Sequence, residues 1–324
     1  MNSLSSEDSS PALSAETRAL DWWVTSRCNL RCDFCHGPTP DPRESRDLRG
    51  RILDAICGSS ATHVTVCGGE PLVVKALPEI VRRLALAGKQ VVLNTNGELL
   101  DESMARALRI GKFVRIVGIS LDGHTAALHR TMRGAEASFE RSVRAARMVA
   151  STKGVALKIG TVVSRVNVSH AAEMSNLVDS IGADVWRLYQ FAPRNGNDAA
   201  EARHLIAVED FWRYVTLAGR LATRTAVSPS SVAQSRGCFI VGHDGALIEP
   251  TLRGHRICGH ALHDSIDSLW SGPSDRQATV LQNKHWLRLS LPAGAANHEC
   301  ASPEGRAHQL PTHCEERQRD HSTS

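Results

Sequence analysis

Long apolar runs are missing from this chain of 324 residues. No stretch approaches the ~20 residues that a membrane-spanning helix needs, so no membrane partner is expected. Charge of one sign is missing as well. The 38 basic residues stand against 34 acidic ones, a balance that gives no footprint for nucleic acid or an anionic surface. The opening run MNSLSSEDSSPALSAETR has serine and acid where a signal peptide needs basic and apolar residues. Nine cysteines, an odd number, suit a reducing compartment better than a disulfide framework, and the cytoplasm is the expected location. The fifteen histidines are scattered, with no HxxxH or HExxH pair, which excludes the common helical histidine metal sites. No internal repeat is present. What remains is 42% hydrophobic, enough for one sizeable core and a small second unit.

Three cysteines then stand out, Cys28, Cys32 and Cys35 in CNLRCDFC. The CxxxCxxC spacing can set three thiolates around one face of an iron–sulfur cube and leave the fourth iron without a protein ligand. Other readings stay open on these residues alone. A structural zinc site wants four closed ligands and shorter CxxC knuckles, and three thiols within eight residues are crowded for disulfides. The motif resembles that of the radical S-adenosylmethionine (SAM) enzymes. The resemblance implies a [4Fe-4S] cluster whose open iron chelates the methionine end of SAM, reductive cleavage to a 5′-deoxyadenosyl radical, and an electron donor such as flavodoxin or ferredoxin.

Further segments carry the same resemblance in the same order. HVTVCGGEPLV reads as a short apolar strand breaking into Gly68-Gly69-Glu70-Pro71, and paired glycines let a backbone turn tightly and approach a neighbour closely. In the family this loop holds the methionine ammonium group, which implies that role for Gly68, Gly69 and Glu70. QVVLNTNG ends a strand at Asn94 and Asn96, and FVRIVGISLDG ends another at Ser120 and Asp122. The resemblance implies that polar groups at these ends contact the ribose and carboxylate of SAM. Arg133-Gly134 is similar to the family's arginine-glycine pair after the fourth strand.

Strands and helices alternate from Leu20 onward, which argues for a parallel sheet covered by helices. LDWWVT, HVTVC, QVVLN, FVRIVGIS, ALKIGTVV and VWRLYQF read as strands. Helices are expected from 51, over 77–87 and over 137–150, on apolar spacing of three and four. The expected fold is α/β, a partial (β/α)6 radical-SAM barrel with a small C-terminal hairpin-helix extension. In such folds ligands sit at the C-terminal strand ends, where every motif above falls. Asn167 and Gln190 are expected to face the same mouth, with Tyr189 a weaker candidate. The domains read as a disordered 1–18, the barrel over 19–225, the extension over 226–288 and a mostly disordered tail over 289–324.

The extension begins after a helix expected over 211–224 and a loop TAVSPSSVAQSRG. GCFIVGHDGALIEPTLRG is a hairpin signal around His243-Asp244-Gly245, and a short helix is expected over 265–270. It resembles the "twitch" of many radical SAM enzymes, which often holds a second iron–sulfur cluster. Cys238, Cys258, Cys300 and Cys314 would supply thiolates, but Ile248-Glu249-Pro250 stands where the family pattern has cysteine, so this cluster stays open. Cys57 and Cys67 are expected to pack as small apolar side chains.

The reaction class then turns on what meets the substrate radical. A thiol opposite SAM would return hydrogen and invert a centre, and Cys258 in RICGH is the candidate donor. By its size and twitch-like end the chain is similar to radical epimerases of sugar and aminoglycoside antibiotics, with a small-molecule substrate. The fifth and sixth strands resemble the viperin-like nucleotide dehydratases, although HGPTP after Cys35 does not. A peptide-modifying maturase is a further alternative, set back by an expected ~20 residues before the first strand. A degenerate, non-catalytic scaffold is the last, opposed by the intact cysteines and GGE loop.

Overall fold

A computed structural model describes residues 17–134, 136–193, 197–232, 239–251 and 254–271. Six strands fall where alternation places them: β1 Ala19–Trp23, β2 His63–Cys67, β3 Gln90–Thr95, β4 Val114–Ser120, β5 Ala156–Val163 and β6 Val185–Gln190. Helices cover them: α1 Arg46–Gly58, α2 Leu77–Leu86, α3 Glu102–Ala107, α4 Ala126–Arg133, α5 Phe139–Ala150, α6 Ala171–Ile181, α7 Asp198–His204 and α8 Val208–Leu221. Local chemistry starts several of them. Ser45, Asp101, Thr125 and Ser138 each accept a backbone N–H of the first turn, a cap worth about 1 kcal/mol.

Neighbouring strands β1 to β6 pair in parallel and in sequence order. One strand more than expected follows: β7 Ala226–Ser230 runs parallel to β6, in a stretch that reads as loop. The hairpin signal becomes β8 Phe239–Val241 and β9 Ala246–Thr251, joined by a further strand, β10 Gly254–His260. A single 3-10 turn, Ile266–Trp270, stands where the last helix was expected. β8 pairs in parallel with β1, while β9 and β10 are antiparallel, so the order is β10-β9-β8-β1-β2-β3-β4-β5-β6-β7. β7 and β10 are the two ends, so the sheet is an open barrel.

The period of two divides every strand between two environments. Leu20 and Trp22 of β1 join the helix-covered main core with Val64, Val66, Leu93, Val117 and Ile159. On the opposite face Val92, Ile116, Ala156 and Val185 form a separate apolar cluster across β3 to β6, a floor beneath the C-terminal ends. No helix among the described residues is long and apolar enough to cross a membrane. Of the stretches expected to be disordered, 1–18 and 289–324, residues 1–16 and 289–324 lie outside the described residues. Thr17, however, is buried and Arg18 N donates to Thr62 Oγ1 (3.0 Å), so these two residues are ordered, against expectation.

Candidate active site at the C-terminal strand ends

A cavity of about 410 Å³ opens at these ends. Cys28, Cys32, Cys35, Gly68, Gly69, Glu70, Asn94, Asn96, Ser120 and Arg133 all line it, although they come from four different strand ends and α4.

Its first wall is the loop after β1. Val24 N donates to Cys67 O (3.0 Å), Gly69 N to Thr25 O (2.8 Å) and Glu70 N to Arg27 O (2.8 Å), so the GGE turn is stitched to the residues leading into Cys28. Gly68 has φ of 129°, and a Cβ there would sit 2.6 Å from Thr25 O. A Cβ on Gly69 would fall inside contact distance of the Arg27 carbonyl. Both glycines are thus required by the approach of the cysteine loop itself. Glu44 anchors that loop from beneath. Its carboxylate accepts from Thr25 Oγ1 (2.8 Å) and Ser26 N (2.7 Å) and pairs with Arg49. Burial alone would raise its pKa, but these bonds and Arg49 bring it below the usual glutamate range. No motif pointed to Glu44 or Arg49.

The three thiols are near enough to repel one another as thiolates. Burial pushes Cys28 up and Cys32 up to about 12, with neighbouring cysteines adding to both shifts and Arg133 opposing them. Leu30 N donates to Cys28 Sγ (3.3 Å) and Gly37 N to Cys35 Sγ (3.2 Å), bonds that favour sulfur carrying negative charge. Among the described residues no three His, Cys, Asp or Glu groups converge on a single metal ion. Three thiols spread around one mouth, with backbone donors on their sulfurs, fit a multi-iron cluster in which each thiolate meets a separate iron.

Glu70 is buried and takes three bonds: Oε1 from Leu72 N (3.0 Å) and Thr95 Oγ1 (2.7 Å), Oε2 from Asn96 N (2.8 Å). Burial raises its pKa against these bonds. Asn96 also donates through Nδ2 to Asn29 Oδ1 (2.8 Å), tying β3 to the cysteine loop. Asn94 Oδ1 is buried without a hydrogen-bond partner in the structure, in room left by Gly118, whose Cβ would overlap it.

Asp122 is placed differently from its expected ligand contact. It is fully buried behind the wall, where Oδ2 accepts from Arg133 Nε (2.6 Å) and Oδ1 from Val162 N (2.7 Å). Arg133 is the member of the pair that reaches the cavity. Burial works against its charge, but Asp122 and Cys32 hold its pKa above the usual value.

Gln190 and Tyr189 line the cavity, whereas Asn167 does not. Asn167 is buried and closes its own turn, accepting from Ser164 N (2.8 Å) and donating to Asp122 O (3.0 Å) and Val162 O (2.9 Å). Cys258 also lies outside the lining. It sits at the break in register between Ile257 and Gly259, exposed, with Sγ 3.3 Å from Leu247 O. Cys238, Cys300 and Cys314 lie outside the described residues. Cys57 packs against the main core, and Cys67 joins the lining.

The remaining wall carries residues that no motif marks. Ile240, Pro250, Thr251 and His255 come from β8 to β10, and the His255 ring meets Trp23 edge-on at 5.3 Å. Asp21 and Trp23 line the same space. Their alternation with Leu20 and Trp22 was the available signal, since one face of β1 was bound to turn inward.

Residues 24–178 match the family described as the Radical SAM superfamily. The chain is 29% identical over 210 residues to an AdoMet-dependent heme synthase of Oleidesulfovibrio alaskensis, covering 63% of this chain and 52% of that protein. It is 30% identical over 261 residues to the mycofactocin maturase MftC of Mycolicibacterium smegmatis, covering 76% and 65%. The chain thus spans about half the length of the heme synthase it matches. In fold it is similar to Streptococcus suis SuiB bound to S-adenosylmethionine, with a TM-score of 0.62, 13% identity, and coverage of 86% of this chain and 73% of that one.

Proposed function

We propose that this chain, whose residues 24–178 are a radical SAM superfamily domain, cleaves SAM at a [4Fe-4S] cluster held by Cys28, Cys32 and Cys35 and takes hydrogen from a substrate carbon. One observation carries the reading: the three thiols of the loop after β1 and the GGE turn after β2 line a single cavity. When bound, the cluster supplies the electron that turns SAM into methionine and a 5′-deoxyadenosyl radical. The protein does the rest. Gly68 and Gly69 bring backbone to the cavity wall, and Glu70 Oε2, with one bond taken, has capacity for a ligand ammonium group. Asn94, Asn96 and Ser120 are the polar groups for the rest of SAM. Arg133, fixed by Asp122, offsets thiolate charge beside Cys32.

For the substrate we propose a peptide. The alignment with the mycofactocin maturase runs over 261 residues, well beyond the domain itself, and β8 to β10 contribute an apolar and hydrogen-bonding wall of their own. An iron porphyrin is the second reading, favoured by the likeness to the heme synthase. Inversion of a sugar centre by Cys258 has no support from the geometry, because that thiol lies outside the cavity lining.

The test is anaerobic incubation of the reconstituted chain with SAM, dithionite and either precursor peptides or iron porphyrins, followed by mass spectrometry. A peptide changed in mass, in step with 5′-deoxyadenosine, is the expected result. Turnover of the porphyrin alone would overturn the peptide reading. Alanine at Cys28, Cys32 and Cys35 together should abolish 5′-deoxyadenosine, and persistent cleavage in that variant would remove the proposal altogether.

A further inference from the structure

We infer that α7 and its N-cap form a brace that presets the Cys32–Cys35 half of the cysteine loop, gripping it at Asp33 through Asn197, Arg203 and His204. The inference rests on the radical SAM reading and goes beyond it, because none of these four residues lines the cavity.

The two halves of the cysteine loop are held by different means. Residues before Cys32 are fixed by the GGE turn and by Asn29, which bonds Asn96 (2.8 Å) and Glu98 (3.1 Å). Beyond Cys32 the grip passes to Asp33. Its Oδ1 lies 2.9 Å from His204 Nε2, its Oδ2 accepts from Arg203 NH1 (3.0 Å), and its carbonyl accepts from Asn197 Nδ2 (2.9 Å). Side chain and backbone of one residue are therefore both held by a single short segment, far away in sequence.

That segment is itself anchored. His204 is fully buried, with Nδ1 3.2 Å from Ser164 Oγ and its ring 5.5 Å from those of Phe34 and Phe191. Since a carboxylate only accepts, Nε2 carries the ring proton toward Asp33. Arg203 NH2 donates to Thr131 O (2.6 Å), and Asn197 accepts from Ala200 N (3.1 Å) as the helix cap. A helix as short as α7 does not hold alone in water, so these contacts order it and it orders the loop in return. Asp33 lies one residue from Cys32 and two from Cys35, so its displacement moves both thiols. Partners behind a metal ligand set its orientation, and losing one typically weakens metal binding about 10- to 100-fold.

The experiment uses the full chain as wild type, Asp33→Ala, Asp33→Asn and His204→Ala. The Asp33 side chain is 38% exposed, so its truncation should leave circular dichroism and the thermal midpoint near wild type. In iron-free protein, the Cys35 and Gly37 amides should exchange faster in Asp33→Ala, while Gly69 and Glu70 stay protected. After reconstitution, a chelator should strip iron at least about tenfold faster from Asp33→Ala, and the reduced cluster's electron paramagnetic signal with SAM should change shape. Asp33→Asn, which keeps an oxygen for His204, should recover most of both properties. Wild-type exchange and wild-type stripping in Asp33→Ala would overturn the brace. A wild-type chain that takes up no four-iron cluster overturns the reading beneath it, and that is seen before any variant is compared.

Discussion

His129 shows how one residue behind the site links acid chemistry to folding. It is buried in α4 next to Arg130 and Arg133, and its Nδ1 lies 3.4 Å from Asp122 N as an acceptor. Burial first, then the two arginine charges, lower its pKa from 6.5 to about 3. The folded chain therefore keeps this ring neutral where the unfolded chain protonates it. Below about pH 6.5 the unfolded state binds the extra proton, so stability falls with falling pH, by up to about 1.4 kcal/mol per pH unit from this group alone. His129→Gln keeps a side-chain acceptor and removes the titration. Urea unfolding from pH 6.5 down to 4 should show the variant losing less stability than wild type. Parallel curves for the two proteins would mean that His129 gains its proton in the folded state as well.

Strand β7 shows at the scale of an element why part of this fold was legible in sequence and part was not. β1 to β6 alternate with helices, and β1 to β4 end in recognisable motifs, so apolar periodicity and cofactor chemistry agreed on those four. β7 reads AVSPS, a serine- and proline-rich string with every mark of a loop. It is a strand because Arg187 of β6 reaches across and donates through NH1 to Ser228 Oγ and Pro229 O, both at 2.8 Å. Proline is tolerated there because β7 is the sheet's edge. The pattern that predicts strands from apolar alternation has no purchase on a strand whose inward face is hydroxyl and whose partner is a buried cation. Asn167 failed for the opposite reason: a polar residue near a strand end looks like a ligand until its three bonds prove to be spent on backbone groups, two in its own turn and one at Asp122. Arg187→Leu should lower stability by about 2–4 kcal/mol, because two charged hydrogen bonds to β7 are lost. A change below about 0.5 kcal/mol in denaturant unfolding would show that the backbone ladder with β6 suffices for β7.

Across the whole molecule, the cysteine loop and the core that supports it are separate. The main core runs from Leu20 to Leu269 through the strands and their helices, and Cys28, Cys32 and Cys35 are not members of it. The loop is instead anchored by hydrogen bonds with Glu44, Gly69, Glu70 and Asn96, and at Asp33 with Asn197, Arg203 and His204. A small metal domain folds only around its metal, because little else holds it. This chain has the opposite architecture, so binding of the cluster should add stability by linkage without creating the fold. Removing iron with a chelator should leave the far-ultraviolet circular dichroism unchanged at 25 °C. The thermal midpoint should drop by no more than about 10 °C, as expected if linkage contributes about 3 kcal/mol in a chain of this size. Hydrogen exchange should rise in 28–37 and stay unchanged along β3 to β5. Collapse of the sheet signal on chelation would place the cluster inside the folding nucleus, and the separation of loop from core would then be wrong.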